Sequence, residues 1–388
     1  MSTAERSHLP SRNPLRVYQN RRPLSYTQKA ISEGHLTGDF IGGAITDART
    51  RDRWPEPVIA WLVENYPDVR IKVENAAIGA TGSDLAVFRA ERDLLQRNCD
   101  LVFVEYAVND RDQNAEIRRK AREGLIRKLL SRGACDVMLV YTFAQDMYKE
   151  MVEGNIPPSI GEFEQLAEHY QLNSVWVGLY ALEELRKGRM KWEDWLPDGL
   201  HPQQRGSLSY AQAVSGYLKD KLSEARDGLE ELELKCLPDP LYADNWEKTA
   251  FLSFDKVKTF GPWYVERSCD SVWMDELLTT ASVGAELQFE FEGRGLSLGF
   301  NFGKRSSEFE YALDGGAWET SCRERPVWCG DQGWFKIFHL ADGLENGRHQ
   351  LCLRVIHGDG DRSQWQGTNF KLAFIGVIQN VVPPESYE

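Results

Sequence analysis

Between residues 36 and 232, short apolar runs alternate with stretches whose apolar positions recur at helical spacing, the pattern of a parallel sheet covered by helices on both faces. The runs predict strands at 36–41, 69–73, 101–106, 136–143 and 174–178. The stretches between them predict helices near 56–66, 84–97, 115–132, 160–170 and 204–226. Ser83 supplies a start signal for the second helix, and Asp84 places an anion in its first turn, where the helix dipole favours one. After Leu232 the texture changes. A charged tract at 226–235 and a proline pair, Pro238 and Pro240, read as a linker. Beyond it the period becomes two: Leu287, Phe289 and Phe291 alternate with polar residues, as do Leu296, Leu298 and Phe300. Further runs at 309–313, 334–340, 350–356 and 370–378, with a hairpin signal at Asp314-Gly315, predict six or more short strands, a β-sandwich or jelly roll. The expected organisation is an α/β domain over 1–232, with 1–35 as an N-terminal extension, and an all-β domain over 240–388.

Charge narrows the function classes. The 388 residues carry a net charge of −13, with a pI near 5.2 and no dense Lys/Arg block, so neither a phosphate backbone nor an anionic membrane surface finds its electrostatic partner. The longest apolar stretches, such as 136–144, run under ten residues, against the roughly twenty that span a bilayer. The first twenty-five residues are polar and Arg-rich, without the apolar core of a secretory signal. Seven scattered cysteines form no C-x-x-C pair, which argues against structural zinc and a disulfide framework and fits a reducing, cytoplasmic location. No metal or cofactor is expected, and a homo-oligomer is compatible with this composition.

Four short elements stand at or near predicted sheet loops. Gly42-Gly43-Ala44-Ile45-Thr46 follows the first strand, where open α/β sheets bind ligands. Asn75 to Ser83, containing Gly79 and Ala80, follows the second, and Val108-Asn109-Asp110 follows the third. Asp198-Gly-Leu-His201-Pro202 precedes the last helix of this half. An Asp three residues before a His offers the orienter and base of a hydrolytic triad. Asn109 could lend its amide to an oxyanion, with backbone N–H groups at the glycine turns as further donors. Each element has a plain structural reading as a cap, turn or packing residue, but four in order on one half of the chain are harder to dismiss. Arg89 and Glu105 flank these motifs and read equally as substrate contacts, a buried ion pair or a solvated face.

In these motifs the sequence resembles the SGNH, or GDSL-like, hydrolases, whose blocks supply Ser, Gly, Asn and His in that order, over roughly residues 20–225. The resemblance implies a flavodoxin-like three-layer sheet, with His201 as general base, Asp198 as its partner and Asn109 in the oxyanion hole. Two departures matter. The nucleophile position is Ala44, whose methyl cannot attack a carbonyl; it marks either a serine-to-alanine variant or a natural pseudoenzyme, and the intact surroundings favour the variant. The second departure concerns the block-two oxyanion donor, which falls on Gly79 or Ala80, while the N–H of Ala44 remains available.

Seven of the twelve Trp (246, 263, 273, 318, 328, 334 and 365) lie in the C-terminal part. Aromatic faces stack on sugar rings, and Trp318, Trp328 and Trp334, near turn signals, are the candidates for a carbohydrate-binding lid, against a strong alternative as core packing. The combination resembles mannan and xylan acetylesterases and implies an O-acetylated oligosaccharide as substrate. A lipase or thioesterase on the same scaffold, and a noncatalytic sugar-binding protein, remain as alternatives.

Overall fold

A computed structural model describes residues 15–47, 52–131, 135–224, 237–271, 273–322, 326–330, 333–358 and 366–380. The tract at 226–235, Cys236 and Trp365 lie outside the described residues. The chain divides into two compact units. One comprises Met1–Gly82, Asp93–Gln113 and Leu129–Asp239; the other comprises Ser83–Arg92, Asn114–Lys128 and Pro240–Glu388.

In chain order the first elements are β1 (Tyr18–Gln19), α1 (Ser25–Ser32), β2 (His35–Gly42), α2 (Pro55–Asn65), β3 (Arg70–Asn75), α3 (Ser83–Asp93), β4 (Leu101–Glu105) and α4 (Ala115–Ser131). There follow β5 (Asp136–Val140), α5 (Tyr148–Val152), α6 (Pro158–His169), β6 (Asn173–Val175), α7 (Val177–Arg186), α8 (Trp192–Trp195) and α9 (Gln204–Ser223). Six strands form one sheet in the order β1-β6-β5-β4-β2-β3, parallel except for β1, which runs antiparallel to β6. β4 and β5 are buried at every position, as unbroken apolar strands in a covered parallel sheet must be. Because β2 leads to β3 on one side and neighbours β4 on the other, the carboxyl ends of β2 and β4 flank the point where strand order reverses. Among the described residues no helix is long and apolar enough to cross a membrane.

The five predicted strands are present. The last stops at Val175 because Val177 already opens α7; the run Val175-Trp176-Val177 across that boundary reads as continuous strand. α3 ends at Asp93, earlier than expected, and a short 3₁₀ turn closes on Asn98 in the left-handed region (φ 57°). The elements β1, α1, α5, α7 and α8 go beyond the sequence reading.

The remaining strands are β7 (Thr249–Leu252), β8 (Lys258–Phe260), β9 (Tyr264–Arg267), β10 (Glu276–Thr280), β11 (Glu286–Phe302), β12 (Glu308–Leu313), β13 (Glu319–Thr320), β14 (Trp334–Ile356) and β15 (Phe370–Ile378). They make one antiparallel network, β13-β12-β14-β11-β15-β10-β9, with β7 on β15 and β8 on β11. The two runs 287–291 and 296–300 belong to the single strand β11. Their inward positions change from odd to even numbers, which a period-two strand permits only where a bulge adds a residue; the register slips between Gly293 and Gly295. A Cβ at Gly293 would stand 2.5 Å from the Ile378 carbonyl oxygen, so the bend needs glycine there. The runs 334–340 and 350–356 likewise join in β14. Asp314 (φ 52°) and Gly315 (φ 70°) form the expected left-handed turn pair after β12. Leu287, Phe289, Leu296, Phe300, Phe309 and Leu353 are among the side chains of this unit's core.

Helical segments complete that unit. Trp246 is fully buried and donates its backbone N–H to the Lys120 carbonyl at 3.1 Å. The Glu123 carboxylate accepts the N–H groups of Leu241 and Tyr242 at 2.6 and 2.7 Å. Lys120 and Arg294 converge on Asp342 at 3.0 and 2.5 Å. A Cβ on Gly124 would come within 2.5 Å of the Trp246 backbone. Helix propensity alone makes Gly124→Ala stabilising by about 1 kcal/mol. The close approach reverses that sign, and a net loss of about 1–3 kcal/mol is expected in denaturant unfolding of the full chain.

Candidate active site

The turn after β2 folds tightly because Thr46 and Asp47 both return their N–H groups to the Gly43 carbonyl, at 3.1 and 3.0 Å. Gly42 and Gly43 permit two close approaches. A Cβ at 42 would stand 2.8 Å from the Glu105 carbonyl oxygen, and one at 43 would overlap the Asn109 carboxamide. Asn109 is thereby brought directly against the residue before Ala44, which is half-buried. A Cβ on Gly79 would lie 3.5 Å from that of Ala44, so the turns after β2 and β3 also meet. The Gly79 N–H is held by Asp47 Oδ2 at 2.8 Å. Asn75 Nδ2 donates to the Thr46 carbonyl at 2.8 Å, a second tie between the same turns. Ala80 occupies the left-handed region (φ 59°), which costs a non-glycine residue roughly 1–2 kcal/mol.

Beneath this turn lies Glu105, at the end of β4 and fully buried. Its carboxylate accepts the hydroxyls of Thr46 (3.0 Å) and Thr142 (2.8 Å) and the Gly43 N–H. Trp54 Nε1 donates to Thr46 Oγ1 at 2.9 Å, so the proton of that hydroxyl is directed at Glu105. Burial raises the carboxyl from 4.5 to about 7, aided by the Asp110 charge, although the three donors oppose the rise.

Asp198 and His201 share the loop before α9. Asp198 Oδ1 accepts the N–H groups of Leu200 (2.9 Å) and His201 (2.7 Å), and its Oδ2 lies 2.8 Å from His201 Nδ1. An ionised carboxylate only accepts, so Nδ1 carries the proton and Nε2 keeps a lone pair. Burial pushes the Asp198 carboxyl up, but these donors outweigh it and hold it below the ordinary 3.8. Both side chains are about half exposed, 53% for Asp198 and 47% for His201. Gly199 (φ 78°) turns the loop and accepts the Gln145 N–H at 2.8 Å. Gln145 follows β5, so the dyad loop lies along the carboxyl edge of the sheet, the edge that also bears Ala44, Gly79, Ala80 and Asn109.

The structure departs from the sequence reading at the two flanking charges and at the tryptophans. Glu105 lies on no solvated face and, among the described residues, no cation pairs with it; Arg89, buried in α3, likewise lies on no solvated face. The three candidate tryptophans do not converge. Trp328 packs edge-on against Phe302 and Trp334 pairs with Phe302 at one end of β11, whereas Trp318 lies under the Arg354 guanidinium, and Arg354 pairs with Glu286 at the other end. The joining of two predicted runs into β14 separates them. The Asp47–Gly79 bond was invisible in the sequence, because nothing local links residues thirty-two positions apart. Among the described residues no three His, Cys, Asp or Glu side chains are grouped as metal ligands.

No protein-family model matches the chain, and no curated protein does. Solved structures do. A two-domain esterase active on acetylated mannans aligns with a TM-score of 0.79 at 22% identity, over 94% of this chain and 98% of its own. The same type of esterase, co-crystallised with mannopentaose, aligns equally, over 94% and 97%. The chain therefore has the fold of a two-domain esterase: a parallel-sheet α/β part followed by a large antiparallel β part.

Two pH dependences follow. The folded value of Asp198 is depressed, so its bonds stabilise the loop above the unfolded carboxylate value and are lost as pH falls through the folded one. Amide-exchange protection at Leu200 and His201 is expected to persist through the ordinary carboxylate range and to be lost only at more acidic pH; loss already at pH 6 contradicts this. Glu105 has the opposite sign. Its folded value is raised, so stability declines as pH climbs from about 4.5 to about 7 and is flat above, by about 3 kcal/mol. Glu105→Gln removes this slope from the pH dependence of denaturant unfolding.

Proposed function

We propose that the chain carries an SGNH-type serine esterase scaffold that deacetylates O-acetylated oligosaccharides of the acetylmannan or acetylxylan kind. In this reading Ala44 stands where the nucleophilic serine belongs, so substrate is held without turnover. The observation that carries it is the Asp198–His201 dyad on the same sheet edge as the residue-44 turn and the Asn109 carboxamide. The shared fold with a mannan-active esterase supports the substrate class.

With serine at position 44, the hydroxyl attacks the acetyl carbonyl while His201 Nε2 takes its proton. Asp198 fixes the tautomer and stabilises the imidazolium. The oxyanion is received by the residue-44 N–H, the Asn109 amide and the Ala80 N–H. Ala80 is preferred to Gly79 because the Gly79 N–H is already spent on Asp47, and because a strained left-handed alanine is the kind of outlier that functional sites retain. The intermediate then collapses as His201 gives that proton to the departing sugar oxygen, which leaves as a hydroxyl, and water activated by His201 hydrolyses the acetyl-serine to acetate and free serine. Residues 1–232 form the hydrolase part, and 240–388 a carbohydrate-binding-like jelly roll in which exposed Trp318 and Trp328 are separate sugar platforms, with Trp334 sharing the Phe302 end of β11 with Trp328. The six described cysteines are unpaired, which favours the cytoplasm.

The test is Ala44→Ser. Hydrolysis of p-nitrophenyl acetate and acetylated mannooligosaccharides is expected to rise by about 10⁴- to 10⁶-fold, and to be abolished again by His201→Ala. Preference for long acyl chains would point to a lipase. No hydrolysis of any ester would leave a sugar-binding protein in which alanine is native.

A further inference from the structure

The groups facing Glu105 come from four elements: Gly43 and Thr46 in the turn after β2, Asp110 after β4, Thr142 after β5, and the Tyr210 phenol on α9. The hydroxyls and the N–H point their protons at it; Asp110 and Tyr210 supply no positive charge. Such a carboxylate is expensive to bury, and with no cation paired to it among the described residues a well-packed hydrophobic residue would cost less. What the carboxylate provides instead is direction. The Thr46 hydroxyl already accepts from the fully buried Trp54, leaving one proton to donate, and Glu105 receives it. Gly42 lets the backbone descend until a Cβ there would be 3.0 Å from Glu105 Oε2.

We propose that Glu105 is a positioning residue of the esterase site, whose buried carboxylate draws the 43–46 turn onto the end of β4, sets Gly43 against the Asn109 carboxamide and so fixes the place of residue 44 next to it. This rests on the reading of position 44 as the nucleophile position. Glu105 touches neither substrate nor reacting atom; it acts through Gly43 and Thr46. When protonated, the carboxyl exchanges an acceptor for a donor. The Gly43 N–H and the two threonine hydroxyls then compete for what remains, and the turn relaxes. Displacement of a nucleophile by about 1 Å can cost on the order of 100-fold in rate, so a modest relaxation is enough to register.

Two readouts test the proposal. The first needs no activity. In the chain as it stands, the amide resonances of Gly43 and Thr46 are followed from pH 5 to 9. They are expected to shift together with a midpoint near neutrality, to do so equally in His201→Ala, and to stay still in Glu105→Gln. The His201 variant separates this titration from that of the imidazole. The second uses Ala44→Ser as the parent. There Glu105→Gln is expected to lower kcat on p-nitrophenyl acetate by about 10- to 100-fold while KM changes by less than about twofold. Resonances that do not titrate, that titrate in Glu105→Gln as before, or an unchanged kcat in an active Ala44→Ser parent would each overturn the proposal. An Ala44→Ser chain inactive on every ester overturns the esterase reading instead, and the Gly43 resonance then still measures whether Glu105 holds the turn.

Discussion

The candidate site depends on a packing constraint at two positions. Where side chains at 42 and 43 would stand, the structure instead has the Glu105 backbone and the Asn109 carboxamide. Absence of Cβ at both lets three neighbouring strand ends close on one another, and the ties among these turns follow from that closure. Gly43 can reach the buried carboxylate, Thr46 can bridge Trp54 to it, and Asp47 can capture the Gly79 N–H from the next loop. A side chain at either position would push apart the groups whose relative placement matters most.

The dyad is built on a different principle. Asp198 and His201 are joined through covalent spacing alone, with the carboxylate gathering two backbone N–H groups and the imidazole of its own loop. A local device of this kind needs little from the fold beyond an anchor, and Gly199 bonded to Gln145 supplies one. This explains why a half-exposed pair can hold one geometry.

The same distinction governs what the sequence could reveal. Asp198 and His201 were legible because their relation is three residues long, and the glycine turn because it follows an apolar strand. β4 and β5 were legible because burial on both faces leaves nearly unbroken apolar runs, whereas β3, at the sheet edge, showed only as an alternation of charged and apolar residues. Glu105 was ambiguous: a charged residue at the end of the run LVFVE reads as a strand end meeting solvent, and only the threonines at 46 and 142, brought from other loops, turn it inward. β11 was read as two strands because its inward face changes parity; the parity change was real, but it marks a bulge in one strand. The spread of Trp318 away from Trp328 and Trp334 had the same origin, since the lengths of β11 and β14 are set by pairing and not by local pattern.

The assignment of α3 and most of α4 to the unit of C-terminal strands has a consequence for biosynthesis. The polypeptide passes between the two units at 82/83, 92/93, 113/114, 128/129 and 239/240. Phe88 and Gly124 emerge from the ribosome long before Trp246 and Phe374, the partners that cover them. Vectorial folding of the N-terminal half must therefore leave an apolar helical surface waiting for chain not yet translated, a window in which aggregation competes with completion. The C-terminal strands are consequently not a bead that can be cut off or moved to another protein at one junction: severed near 240, they would leave behind the helices around which they assemble.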